Sequence, residues 1–290
     1  MPKFINIAKS AGFCYGVKTA VETVKKIKAQ NTDKEIFILG AIIHNSQVIT
    51  ELEKLGIHTV EKLPENAQNA ICIIRTHGET PENIQKIRNL GFEIVDLTCP
   101  DVKKVQLKGV NLAKNGYFVI IIGKDNHPEV VAIKANIQQY SQNVAVVNSE
   151  QDIENIKEIL KNNTKIGVVI QTTQPMNNVQ PIISRLMDFS KELKIENTIC
   201  SSTKNRQKEA VELAHQSDLM IVIGSKESAN TTHLAHLCKE ITNTIHIESQ
   251  NEINIYMDLI KNSNTVSITA GASTPKELIE NVLITLEKEK

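Results

Sequence analysis

The chain has 290 residues, 33 Lys or Arg against 33 Asp or Glu, 41% hydrophobic residues and no Trp. A formal net charge of zero and only 3% aromatic residues leave neither the basic field nor the stacking platforms that hold nucleic acid or an anionic membrane surface. An anionic ligand therefore needs a local site. The N-terminus MPKFINIAKS lacks the apolar core of a signal peptide, and no apolar run approaches a membrane span. A cytoplasmic protein is expected, and its five cysteines then favour metal binding or catalysis over disulfides.

In chain order, a short strand-like run from Ile5 to Ile7 leads to GFCYGV with Cys14. Val17, Ala20, Val21, Val24 and Ile27 then share one helical face. The buried-type strand IFILG ends at Gly40, and the loop AIIHN carries His44. A further strand, AICIIRTHG, runs into Arg75, Thr76, His77 and Gly78, and Pro81 opens a helix.

The order then repeats. Phe92 to Val95 leads to DLTCPDV with Cys99, FVIIIG ends at Gly123, and KDNHPE carries His127 and Glu129. IGVVIQTTQ carries Thr172, and Pro175 opens the next helix. A weaker strand ending at Ile199 leads to TICSSTKNRQ with Cys200, and LMIVIG ends at Gly224. GSKESANTTHL then carries Ser228 and Asn230, TVSITAGAS carries Ser273, and Pro275 follows in a segment, Thr274 to Glu277, that fits a capping box. The Cys-to-Gly spacing (14 to 40, 99 to 123, 200 to 224) is nearly constant.

Alternating strands and helices predict an α/β protein of three similar small domains with parallel sheets, spanning residues 1–98, 99–198 and 199–290. Ligands in such sheets bind beyond the carboxyl ends of the strands. The polar residues after each strand are thus the candidate site.

Three thiols, one per repeat, suit one metal centre. A [4Fe–4S] cube held by Cys14, Cys99 and Cys200 would leave one iron open. Zinc with three Cys and one His is the alternative, although no C-x-x-C pair occurs. Three cysteines packed in cores is the bland one. Cys72 in AICII and Cys238 in HLAHLCKEI have no counterparts in the other repeats and read as packing residues. His44, His77 and His127 at strand ends suit an anion better than a second metal site. Ser228, Asn230 and Ser273 offer donors near helix starts, where phosphate binds, but would serve equally as caps or turn residues. Glu129 could be an ordinary first-turn acid, and Thr172 a turn residue.

Together GFCYGV, IIHN, RTHG, DLTCPDV, NHPEV, QTTQ, STKNRQ, GSKESANTTHL and TAGAS, in order from residue 12 to residue 275, resemble the 4-hydroxy-3-methylbut-2-enyl diphosphate reductases, which act last in the non-mevalonate isoprenoid pathway. The resemblance implies a pseudo-threefold cloverleaf around a [4Fe–4S] cluster with Cys14, Cys99 and Cys200 as ligands. It implies that His44, His77, His127, Ser228, Asn230 and Ser273 hold the diphosphate. Glu129 and Thr172 would deliver protons to the substrate hydroxyl, with His127 beside them. A ferredoxin or flavodoxin would supply electrons. One departure stands out: Ala229 follows Ser228 where similar family members often have a second serine. The rival classes are an iron–sulfur sensor, for which no output surface such as a basic helix is evident, and a zinc-dependent hydrolase of a phosphorylated substrate.

Overall fold

The structure is a computed structural model that describes residues 2–288 except 44, 66 and 68. Strand β1 (Phe4–Ile7) leads past Cys14 into helix α1 (Tyr15–Gln30). There follow β2 (Glu35–Leu39), α2 (Ser46–Lys54), β3 (Ile57–Val60), β4 (Ala70–Ile74), α3 (Pro81–Asn89) and β5 (Glu93–Asp96). Past Cys99 come α4 (Pro100–Lys114), β6 (Phe118–Ile122), α5 (Pro128–Gln138), β7 (Val144–Val147), α6 (Glu150–Asn155), α7 (Lys157–Lys161), β8 (Lys165–Ile170), α8 (Met176–Met187) and β9 (Glu192–Glu196). Past Cys200 come α9 (Ser201–Ala214), β10 (Leu219–Ile223), α10 (Ala229–Lys239), β11 (Asn243–Ile247), a 3-10 turn (Gln250–Tyr256), α11 (Met257–Lys261), β12 (Thr265–Ala270) and α12 (Lys276–Lys288).

The strands form three four-stranded sheets ordered β3-β2-β4-β5, β7-β6-β8-β9 and β1-β12-β10-β11, and every pairing is parallel. The chain divides into two compact units. One comprises Met1–Lys25, Ile43–Leu55 and Ser201–Lys290, and holds the sheet of β1, β12, β10 and β11; the other comprises Lys26–Ile42 and Gly56–Cys200, and holds the remaining two sheets. Among the described residues, no helix is long and apolar enough to cross a membrane.

The three α/β sheets expected from the sequence are present, and one strand sits elsewhere than the repeat suggested. β1, counted with residues 1–98, pairs with β12 in register Phe4–Thr265 to Ile7–Ile268, so it belongs to the sheet of the third repeat. The strand before each cysteine closes the sheet that precedes it in the cycle. β5 and β9 do so for their own repeats, and β1 does so for the last. The physical reason is the free edge of β12, whose backbone groups need a partner.

The central strands β4, β6 and β10 read as unbroken apolar runs because both faces are covered. In β6, Phe118, Ile120 and Ile122 pack into one core while Val119 and Ile121 pack into the core on the opposite face. In β10, Leu219, Ile221 and Ile223 pack on one side, and Met220 and Val222 on the other. Each such fully buried side chain contributes roughly 1.5–3 kcal/mol. In every sheet the strand order reverses between the two central strands: β2 and β4, β6 and β8, β10 and β12. These reversals are the topological switch points at which open α/β sheets bind ligands.

Candidate active site

Cys14, Cys99 and Cys200 stand directly before α1, α4 and α9 and are partly exposed; none is in a disulfide. Each donates its backbone N–H to a carbonyl in the loop that follows a neighbouring central strand. The acceptors are Ala272 for Cys14 at 3.2 Å, Thr76 for Cys99 at 3.0 Å and Thr172 for Cys200 at 3.0 Å. The three acceptors occupy equivalent positions past β12, β4 and β8. Cys72 and Cys238, by contrast, are 0% exposed in apolar cores. Burial pushes both thiols up to about 12, with Glu79 adding to the effect at Cys72.

Within the two-sheet unit the first turn of α5 and the loop after β8 meet at Glu129. This side chain is 2% exposed. Thr172 grips both of its oxygens, donating its N–H to Oε1 at 2.7 Å and its hydroxyl to Oε2 at 2.8 Å. Burial dominates the proton affinity and pushes the carboxyl up to about 7, against the two Thr172 hydrogen bonds and with a further push from Asp101. Because the Thr172 carbonyl also accepts the Cys200 N–H, one residue links the buried acid to the cysteine.

His127 is the N-cap of α5, and its Nδ1 accepts the Glu129 N–H at 3.2 Å. That bond leaves the proton of the neutral ring on Nε2. His77 meets His127 edge-on, with ring centroids 5.4 Å apart and planes at 82°. The turn after His77 requires Gly78, whose φ is +80° and whose missing Cβ would fall 2.8 Å from Gln106 Nε2 and 3.2 Å from Thr98 Cγ2.

In the other unit, Ser228 is the N-cap of α10, accepting from Thr231 N at 3.4 Å, and Asn230 lies in the first turn. Ala229 is the first helical residue. Ser273 is 8% exposed, and its hydroxyl has no hydrogen-bond partner among the described residues. The neighbouring Thr274 hydroxyl donates to the Ile223 carbonyl at 3.0 Å. His44 lies outside the described residues; next to it Asn45 caps α2 by accepting from Val48 N at 3.1 Å.

The structure therefore brings His77, His127, Glu129 and Thr172 together beside the backbone contacts of Cys99 and Cys200. It places Cys14, Ser228, Asn230 and Ser273 at the carboxyl edge of the β10–β12 sheet, in the other unit. Among the described residues, no three His, Cys, Asp or Glu side chains are gathered closely enough to hold a single metal ion. A polynuclear cluster asks less, because its thiolates bind separate irons. Sequence patterns missed the backbone half of the site. The carbonyls of Thr76, Thr172 and Ala272 carry no side-chain signal and emerge only from the sheet pairing.

Residues 5–287 match the LytB protein family. A relative from Trichlorobacter lovleyi named 4-hydroxy-3-methylbut-2-enyl diphosphate reductase is 40% identical over 97% of this chain and 97% of its own. One of the same name from Clostridium tetani is 39% identical over 96% of this chain, which spans 43% of that longer protein. A solved structure of (E)-4-hydroxy-3-methyl-but-2-enyl diphosphate reductase, described as the terminal enzyme of the non-mevalonate pathway, superposes with a TM-score of 0.74 at 36% identity, covering 98% of this chain and 99% of that one. The Plasmodium falciparum reductase gives a TM-score of 0.88 at 27% identity, covering 99% and 88%. With residues 5–287 matched by the family and a relative 40% identical over 97% of it, the chain belongs to the LytB protein family.

Proposed function

We infer that the protein reduces 4-hydroxy-3-methylbut-2-enyl diphosphate, replacing the hydroxyl with hydrogen. An electron pair and a pair of protons enter; isopentenyl or dimethylallyl diphosphate and water leave. The observation that carries this reading is the buried Glu129, gripped by the Thr172 that also receives the Cys200 N–H.

The donor set fits an iron–sulfur cluster: three unbridged, partly exposed thiols at helix starts, against two that burial keeps protonated. Held by Cys14, Cys99 and Cys200, a [4Fe–4S] cluster would supply reducing electrons and the Lewis acidity of an open iron. The chain's own residues do the rest. With its carboxyl pushed up to about 7, Glu129 keeps a proton available near neutral pH. When Oε2 is protonated its 2.8 Å hydrogen bond with the Thr172 hydroxyl reverses: Oε2–H donates, and the hydroxyl turns its own hydrogen to the departing oxygen as it takes the proton from Glu129. The diphosphate is held by His44, His77, His127, Ser228, Asn230 and Ser273. The unpartnered Ser273 hydroxyl and the Nε2–H of His127 are donors suited to its oxygens. A ferredoxin or flavodoxin delivers the electrons.

The test is anaerobic purification followed by turnover with a chemical reductant. About four irons per chain and loss of the substrate hydroxyl are expected. Zinc in place of iron, or no reduction by the iron-loaded protein, would overturn the reading.

A further inference from the structure

Arg206, 3% exposed on α9, spends its guanidinium on backbone carbonyls. Nη1 donates to Ser10 and, at 2.6 Å, to Ala270; Nη2 donates to Gly12 at 2.8 Å. Less than a turn further along, the Glu209 carboxylate accepts the N–H groups of Lys9 at 2.7 Å and Ser10 at 2.9 Å, together with the Ser10 hydroxyl. Both side chains grip residues 8–13, the segment between β1 and Cys14.

This approach to a cysteine is the longest of the three. Only residues 97–98 separate β5 from Cys99, and only 197–199 separate β9 from Cys200. Each of those short approaches is tied by its own threonine. Asp96 accepts the Thr98 N–H at 2.9 Å, and the Thr198 hydroxyl exchanges hydrogen bonds with the backbone of Ile170. A longer segment has more conformations to lose and more backbone groups to satisfy. It also turns through Gly12 at φ +93°, where an added Cβ would lie 3.2 Å from Ile279 Cδ1. Charge-assisted bonds are the strong kind, and a single nitrogen bonded to Ser10 and Ala270 ties the cysteine segment to the strand that leads to Ser273.

We propose that Arg206 and Glu209 are positioning residues that preform the Cys14 segment and fix it to the end of β12, so that Cys14 is presented in place to its metal group. The metal part of this rests on the ligand role proposed above for Cys14; the clamp itself does not.

The experiment takes the full-length metal-free protein and follows alkylation of each of its five thiols by N-ethylmaleimide, read by peptide mass spectrometry. Arg206→Lys keeps the charge and loses the planar fork. It should raise the rate at Cys14 about tenfold or more, the exposure expected from losing one charge-assisted hydrogen bond, with Cys99 and Cys200 little changed. Glu209→Gln, which swaps an acceptor for a donor, should act in the same direction and serves if Arg206→Lys does not fold. An unchanged Cys14 rate, or an equal rise at all five thiols, would overturn the clamp. In protein reconstituted with iron and sulfide, both variants should also lose iron faster to a chelator. Selective Cys14 exposure with wild-type iron retention would keep the clamp and overturn the ligand role of Cys14, so the two failures are told apart.

Discussion

Glu129 carries two opposed influences on its proton affinity. Burial raises it and dominates, the two Thr172 hydrogen bonds lower it, and the folded carboxyl settles near 7 rather than the ordinary 4.5. Between those values the native state holds more protons than the unfolded chain, so stability falls as pH rises from about 4.5 to about 7 and is level above. The shift corresponds to about 3 kcal/mol across that window. Glu129→Gln should abolish this slope in urea titrations run at several pH values. Under the catalytic reading it should also keep its iron and lose about 10²- to 10⁴-fold in turnover with excess chemical reductant. Near-normal turnover would return Glu129 to the first-turn role that sequence alone also allowed, whose loss costs about 1 kcal/mol at most. The cysteines separate at the same scale. Cys99→Ser should cost the cluster, whereas Cys72→Ser and Cys238→Ser should keep full iron and lose about 1–3 kcal/mol of stability, because each puts a hydroxyl into an apolar core. Iron analysis beside thermal melts checks both, and full iron in Cys99→Ser would sink the ligand assignment.

At the scale of elements, the strands were the most legible part of the sequence. FVIII, LMIVI and AICII are buried along their whole length, and such runs leave little room for another reading. Helix starts were legible to within a residue. Pro81 is the first residue of α3, whereas Pro175 caps α8 and Pro275 stands just ahead of α12. The strand expected to end at Ile199 stops at Glu196, because Thr198 turns its hydroxyl onto Ile170 and takes the chain out of the ladder. Glycine was only half legible. Sequence marks Gly78 as part of a turn, but the demand on it is three-dimensional: a positive φ and a missing Cβ 2.8 Å from Gln106 Nε2. Gly78→Ala should cost about 1–2 kcal/mol from the dihedral alone. Adding Gln106→Ala should recover only the steric remainder. A double-mutant cycle of melting free energies separates the two parts, and full recovery by Gln106→Ala would show that the dihedral carries no cost.

At the scale of the molecule, the threefold repeat was legible and its closure was not. Periodicity marks Ile5 to Ile7 as a strand but says nothing about its partner, and the partner, β12, begins at Thr265. Pairing so distant in sequence forms only after a large loss of loop entropy, and it fixes the entry to the Cys14 segment. Register makes the idea testable with proline. The N–H groups of Phe4 and Ala8 donate to Asn264 and Ile268 of the neighbouring segment, at 3.1 and 2.8 Å. In a parallel ladder the intervening odd-numbered residues, Ile7 among them, turn their N–H groups to the open edge. Ile7 is 46% exposed, whereas Ala8 is 3% exposed. Proline is tolerated where an edge strand faces solvent. Ile7→Pro should therefore melt close to the wild type. Ala8→Pro removes a donor and leaves a buried carbonyl without its partner, at a cost of about 1–3 kcal/mol. It should also loosen the Cys14 segment and lower iron retention under a chelator. Equal melting temperatures and equal iron retention in the two variants would mean that the β1–β12 ladder does not hold the Cys14 segment in place.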